Sequence, residues 1–308
     1  MAFAPNNLLR LALVPEVTPG VTPATPTFQT MRVTKPSDGA TKSIYRSEEF
    51  TGNRFGRKNH LTGIDVSPAY DFELSYGTFD VLLAAVMRGA WATNVLKDAA
   101  TAAAFTLEEA DLGGTSAFVR YQGLFPDEMS LSLASRKEIT GSVKFFGMGQ
   151  GSGTTAISGA TYTAATTTDV LTTGTAVGAL SISGLTTQPV FRSIDLSIKN
   201  GLGTREQLGS LYSLEPTSAP IEIEITGEAY FSTVELYQAA MAHGSGALSF
   251  QIGAVSGSKY QVDVPVARFI QPDRERHDLA KDQMLKLTMR AEYDATLGAT
   301  MKITRGVS

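Results

Sequence analysis

One strand-then-helix stretch constrains the fold most, because the chain carries two versions of it. The first runs from Tyr70 to Gly89 and the second from Ile221 to Gly244. Each opens with apolar/polar alternation, the period of a strand, and then changes to the spacing of a short helix. Phe79, Leu82, Leu83 and Val86 fall at i, i+3, i+4 and i+7, the core face of a helix over 79–88. Val234, Tyr237 and Met241 repeat that stripe 155 positions later and predict the core face of a helix over 233–243. Gly89 and Gly244 stand where a left-handed helix cap is expected. Ser232 and Glu235 have the spacing of a capping box.

Other landmarks recur in the same order. Pro126-Asp127 and Pro272-Asp273 lie 146 apart, each ahead of a strand-like run, and Phe28-Gln-Thr-Met-Arg-Val matches Phe191-Arg-Ser-Ile-Asp-Leu at a distance of 163. An offset that drifts while the order holds is what loops of unequal length produce. The reading is an internal duplication, with a period too long for a solenoid.

The chain's 308 residues suffice for two domains, each with its own core. With no cysteine there is no disulfide framework and no thiolate chemistry. A net charge of −4 argues against a surface built to grip phosphates. No run reaches the roughly 18 apolar residues of a membrane helix. Leu8–Val14 is too short, and lacks the basic leader, for a secretion signal, so a soluble, cytoplasmically made protein is expected. Abundant Gly and Thr with short alternating runs indicate mainly β structure.

The expected map is therefore an extended arm over 1–27, a β domain over 28–147, a Thr/Gly-rich linker over 148–189 and a second β domain over 190–308. Each domain is a β-sandwich or barrel with one short helix. Pieces of the linker, such as Asp169–Leu171 or Ala179–Ile182, have the composition of edge strand. Prolines keep the arm extended, and its apolar Leu8, Leu9 and Leu11 are expected to dock on a partner. A long polar excursion over 35–62 carries Arg46, Glu48, Glu49, Arg54, Arg57, Lys58 and His60. Its counterpart over 199–219 carries Arg205 and Glu206. Loops of this length in compact domains tend to be functional or disordered. Spaced aromatics favour a segment that orders against a partner.

Catalytic signatures are missing. No nucleophile elbow is present, and Gly147-x-Gly-x-Gly-x-Gly153 lacks the Gly-Lys-Ser/Thr of a phosphate cradle. His243 ends a helix, where a cation complements the dipole. Asp273, Glu275, His277 and Asp278 are interleaved with Arg274 and Arg276, the pattern of a solvated charged turn rather than a metal site. Tyr121 and Phe145-Phe146 lie in alternating strands without flanking bases, which favours core packing over base stacking. No catalytic residue, metal or cofactor is predicted.

Taken in order, four features resemble the tail tube (major tail) proteins of long, flexible-tailed bacteriophages. They are the arm Glu16-x-Thr-x-Gly-x-Thr-Pro23 leading to Phe28-Gln-Thr-Met-Arg32, and the long loop ending at Leu61-Thr-Gly63. Next come Thr78-Phe-Asp-Val-Leu-Leu-Ala-Ala85 with Gly89-Ala-Trp91, and then Tyr121-Gln-Gly123, Met129-Ser-Leu-Ser-Leu and Glu138-Ile-Thr-Gly-Ser-Val-Lys-Phe145. The resemblance implies subunits that form rings, stacked into a hollow virion tube through which genome DNA passes non-specifically. Single-domain members form hexameric rings, so a duplicated chain implies a trimer, or a hexamer with the second domain outside. The partners implied are further copies of the chain and the tape measure and tail-terminating proteins, with no membrane. The arm and the two long loops would make contacts between rings. A tail terminator, a decoration protein, or a β-rich carbohydrate-binding or adhesin module remain alternatives.

Overall fold

The computed structural model describes residues 8–37, 39–113, 116–275 and 282–308. The chain is mainly β, in sheets that do not close into a barrel. Its first half contains β1 (Leu9–Pro15), β2 (Thr27–Thr30), β3 (Lys35–Pro36), β4 (Ala40–Arg46), β5 (Asn59–Val66), β6 (Ala69–Glu73) and helix α1 (Asp80–Val86). It continues with β7 (Val95–Lys97), β8 (Phe105–Asp111), β9 (Ala117–Ala134) and β10 (Thr140–Phe146). Then come β11 (Gly149–Gly153), β12 (Thr161–Thr163), α2 (Thr173–Ala176) and β13 (Val177–Ile182). The second half has β14 (Phe191–Lys199), β15 (Glu222–Tyr230), α3 (Val234–Met241), β16 (Ser245–Ile252), β17 (Tyr260–Glu275), β18 (Met284–Ala291) and β19 (Lys302–Arg305).

The same partners recur in both halves. One layer of the first half pairs β12, β2, β1, β8, β9 and β11 in that order. The other layer pairs β3, β6, β10 and the later part of β9. In the second half β13 lies on β16 and β16 on β17, as β1 lies on β8 and β8 on β9. Likewise β17, β18, β15 and β14 pair as β9, β10, β6 and β3 do. Strands β9 and β17 each serve two layers. Pro126 and Pro272 lie inside them, beside a register shift, rather than ahead of a strand as the sequence suggested. A residue without an N–H is tolerated where a strand leaves one ladder for another.

The layers bury facing apolar side chains. Leu11, Leu13 and Leu107 from one pack against Tyr70, Phe72 and Phe145 from the other. Phe72 stacks on Phe79 at a centroid distance of 4.1 Å. Strand β14 then runs antiparallel along β9, from Ser193 opposite Ala134 to Lys199 opposite Glu128. Strands β3, β6, β10, β9, β14, β15, β18 and β17 thereby form one continuous sheet, and one apolar cluster draws residues from both halves.

Part of the expected linker is paired strand. β11 and β12 attach to the first half and β13 to the second. The arm's apolar run is strand β1, taken up by this chain's own β8 and β2.

The helices differ from expectation in three respects. In α1 the stripe Phe79, Leu82, Leu83 and Val86 is buried. In α3, Val234 and Met241 are 52% and 61% exposed, Tyr237 is half-buried, and Leu236 and Ala240 carry the contact instead. The sheet meets α3 about one residue, roughly 100° of rotation, away from the predicted stripe. The left-handed residue of each cap is Arg88 (φ 50°) or His243 (φ 53°), not the glycine. The glycine follows it. A Cβ on Gly89 would lie 2.1 Å from the Lys97 carbonyl oxygen, so close approach explains glycine there. Finally, no capping box forms. The Glu235 carboxylate accepts from the Thr186 and Thr187 amides at 2.7 and 3.2 Å, which holds it below the usual carboxylate range.

Candidate functional site

The continuous sheet has two unlike faces. Strand alternation sends Ile194, Leu196 and Ile198 of β14 into the core and Ser193, Asp195, Ser197 and Lys199 the other way. The same division holds for Ile223 and Ile225 against Glu222 and Glu224 on β15, and for Leu285, Leu287 and Met289 against Lys286, Thr288 and Arg290 on β18. On β9 and β10, Met129, Leu131 and Val143 turn inward and Glu128, Ser130, Ser142 and Lys144 outward.

The outer side of this sheet is thus a polar wall across both halves. Its acids Asp71, Glu73, Glu128, Asp195, Glu222, Glu224, Glu228, Asp273 and Glu275 outnumber its bases Lys35, Lys144, Arg192, Lys199, Arg268, Lys286 and Arg290. Several charges cancel locally. Lys199 lies 3.5 Å from Glu128, Arg290 2.8 Å from Glu222, and Arg192 3.4 Å from Glu228. Short hydroxyl side chains fill between them, with Ser130 and Ser142 hydrogen-bonded at 2.8 Å. Such a wall offers neither an apolar foothold nor a run of unpaired bases for phosphates.

A second feature is the pair of long hairpins. Strands β4 and β5 continue the β3–β6 ribbon outward with the same register, Pro36 opposite Tyr70 and Ala40 opposite Val66. The excursion over 35–62 is therefore a projecting hairpin. Its arms and tip expose Ile44, Tyr45, Phe50, Phe55 and Leu61, with Phe50 fully open to solvent. Arg46, Glu48, Glu49 and Arg54 are exposed beside them. Arg57 is half-buried and bonds Thr51 and Asn53 within the tip. Arg205, Glu206 and Leu208 are exposed on the loop between β14 and β15. The structure sets the middle of the second excursion against the base of the first, where the Ile64 amide donates to the Leu211 carbonyl at 2.7 Å. Their charged tips are left to solvent.

The predicted contact residues of the arm divide. Leu8 is 46% exposed and Leu9 half-buried, whereas Leu11 is only 3% exposed. Leu11 belongs to the core of its own chain and has no surface left for a partner.

Sequence reasoning missed the joint between the halves. Asn200, 1% exposed, donates its side-chain amide to the carbonyls of Val86 at 2.9 Å and Pro126 at 3.0 Å. Its backbone amide donates to Asp127, and the Asp127 carboxylate accepts from the Leu202 amide at 2.8 Å. The only sequence signal was an Asn ending an alternating strand. Also missed was Glu108, fully buried between Arg10 at 3.1 Å, Arg120 at 2.8 Å and the Tyr162 hydroxyl at 2.7 Å. Burial, then the hydrogen bond to Glu108, push Tyr162 up to about 12.

No group of three or more potential metal ligands occurs among the described residues. Of the acidic turn, Asp273 and Glu275 are described, and His277 and Asp278 lie outside the described residues. No helix among the described residues is long and apolar enough to cross a membrane. A family model described as "Phage tail tube protein" matches residues 6–297. No curated protein matches the sequence.

Proposed function

We propose, from the premise that this chain belongs to the phage tail tube protein family, that it assembles into stacked rings whose bore is lined by the polar wall. Family membership makes it a structural component of the virion tail. The observation that carries the finer reading is the continuous eight-strand sheet, apolar on one face and mildly acidic on the other. A wall with more acids than bases, much of its charge paired off locally, lets a polyanion slide, because nothing on it retains phosphates. The role is mechanical rather than catalytic.

The repeated pairing pattern supports a ring of three chains, each supplying two quasi-equivalent units from an ancestral duplication. The exposed hairpin and the 200–219 loop lie suitably for contacts with the next ring, through Phe50, Phe55, Arg54 and Leu208. Tape measure and tail-terminating proteins would meet the bore and the tube ends, and assembly would take place in the host cytoplasm. Negative-stain electron microscopy of the purified protein at low and high concentration tests this. Stacked rings or hollow filaments with threefold symmetry are expected. Particles of single-chain size at every concentration would overturn it.

A further inference from the structure

Asn200 closes the joint between the halves, and the residue after it makes that joint chemically fragile. The asparagines of the chain are Asn6, Asn7, Asn53, Asn59, Asn94 and Asn200, and only Asn200 is followed by glycine. A side-chain amide before glycine is open to attack by the next backbone nitrogen, because no Cβ shields that nitrogen. This reaction is one reason asparagine is a thermolabile residue. The fold nevertheless calls for both residues. Gly201 has φ 56°, in the left-handed region, and a Cβ there would lie 2.9 Å from the Cβ of Ala219. The side chain at 200 must donate twice, to the carbonyls of Val86 and Pro126, which an ionised carboxylate of the same shape cannot do.

The closed joint also restrains the reaction. Attack makes the Asn200 Cγ tetrahedral and carries Nδ2 away as the leaving group, so neither of its hydrogen bonds survives. At 1% exposure the residue is shielded from the water or hydroxide that must take the Gly201 amide proton. Its backbone is held as well. The Asn200 amide donates to the Asp127 carbonyl at 2.8 Å, and the Asn200 carbonyl accepts from the Ala219 amide at 3.3 Å.

We propose that Asn200-Gly201 is a self-modification site, inert while the halves are joined and reactive once they part, whose product keeps them from joining again. The Gly201 nitrogen gives its proton to solvent and bonds to the Asn200 Cγ. The Cγ–Nδ2 bond breaks, and the nitrogen takes up a proton and leaves as ammonia. The five-membered imide then adds one water. Opening at Cγ gives aspartate, and opening at the main-chain carbonyl gives isoaspartate; nothing is oxidised or reduced. Aspartate sets an acceptor-only group against the carbonyls of Val86 and Pro126, in the interior, beside the Asp127 carboxylate that accepts from the Leu202 amide. Isoaspartate also lengthens the backbone by one methylene between the bonds to Asp127 and Ala219. A joint left open long enough therefore becomes one that does not close. The proposal stands on the geometry of the joint and does not depend on the ring reading.

The unmodified full chain is incubated in mildly alkaline buffer, with and without denaturing urea, and conversion of each asparagine is followed by peptide mass mapping. In urea, conversion at Asn200 is expected to outpace that at the other asparagines. Without urea it should fall by about tenfold or more, because only the opened fraction reacts. Equal rates with and without urea would overturn the protection, and conversion in urea no faster than at Asn53 would overturn the site. Asn200→Asp, made directly, supplies one product without the incubation. Amide exchange along Ser193–Lys199 is expected to be faster in it than in the unmodified chain, and failure of this variant to fold counts the same way. An Asn200→Asp chain that folds with unchanged exchange along Ser193–Lys199 would overturn the claim that conversion keeps the halves apart.

Discussion

The first half of the molecule is finished by the rest of the chain, and the second half is not. Around Glu108, strand β12 returns to cover the outer layer, and Arg10 stacks over the Tyr162 ring at 3.4 Å. The comparable place in the second half, on the β16–β17 ladder, holds Ser249, Gln261 and Asp263 with Lys302 at 3.1 Å, all partly exposed. Helix α1 is tied to later segments through Asn200, Arg305 and Tyr260, the last two both bonded to Asp80. Helix α3 keeps apolar side chains in solvent. Equivalent elements thus acquire unequal burial. The difference teaches that exposure here reports which neighbour the chain itself supplies, not a difference in local design.

The sharpest way to break the comparison is Glu108→Ala. It leaves two arginines without their buried partner and should cost about 3–5 kcal/mol, read by denaturant unfolding. Asp263→Ala in the second half should cost no more than about 1 kcal/mol, since that pair is partly solvated. Equal costs would end the argument that the halves are unequally completed.

Next in size is Asn200→Ala. It strands the carbonyls of Val86 and Pro126 in the interior and should cost about 1–3 kcal/mol. Amide exchange along Ser193–Lys199 should accelerate more than exchange along β8. Uniform acceleration would mean that the halves do not open separately.

Alkaline pH tests the buried phenols. Tyr162 is raised to about 12, and burial followed by neighbouring carboxylates raises Tyr70 and Tyr260 further still. A raised folded value means that the folded state holds its proton longer. The stability it contributes is complete below about pH 10 and is lost as pH rises above it. Tyr260→Phe should flatten the decline and loosen the tie to Asp80. An unchanged alkaline profile would remove Tyr260 from that account.

The smallest effects on stability belong to the exposed surfaces. Met241→Ser should change the free chain's stability by less than about 0.5 kcal/mol. Deleting 44–58 should leave cooperative thermal unfolding intact while abolishing tube growth in the microscope. Loss of cooperativity in the deletion would place the hairpin tip in the core.

Legibility followed the range of the interaction. The helix and strand plan of both halves was readable because alternation and the 3.6-residue stripe are local. The stripe of α3 was misjudged because the surface that would select it is not on the same chain segment, and Leu236 rather than Val234 found the sheet. The arm's apolar run reads as a docking segment, yet its partner β8 lies about a hundred residues away in sequence. The polar wall was implicit in the alternation of Ser193, Asp195, Ser197 and Lys199, but no single strand says that eight of them line up.

The sequence by itself determined the β class, the repeated order of elements and the two long excursions, because composition and short-range periodicity carry these. Only the tertiary structure decided which edges the strands within the Thr/Gly-rich stretch pair with, that Glu108 and Asn200 are buried nodes, and that β14 joins the halves along β9. Those outcomes depend on which distant backbone edges meet. A strand's hydrogen-bonding groups are the same whatever its sequence, so pairing partners are chosen by the packing of the whole chain.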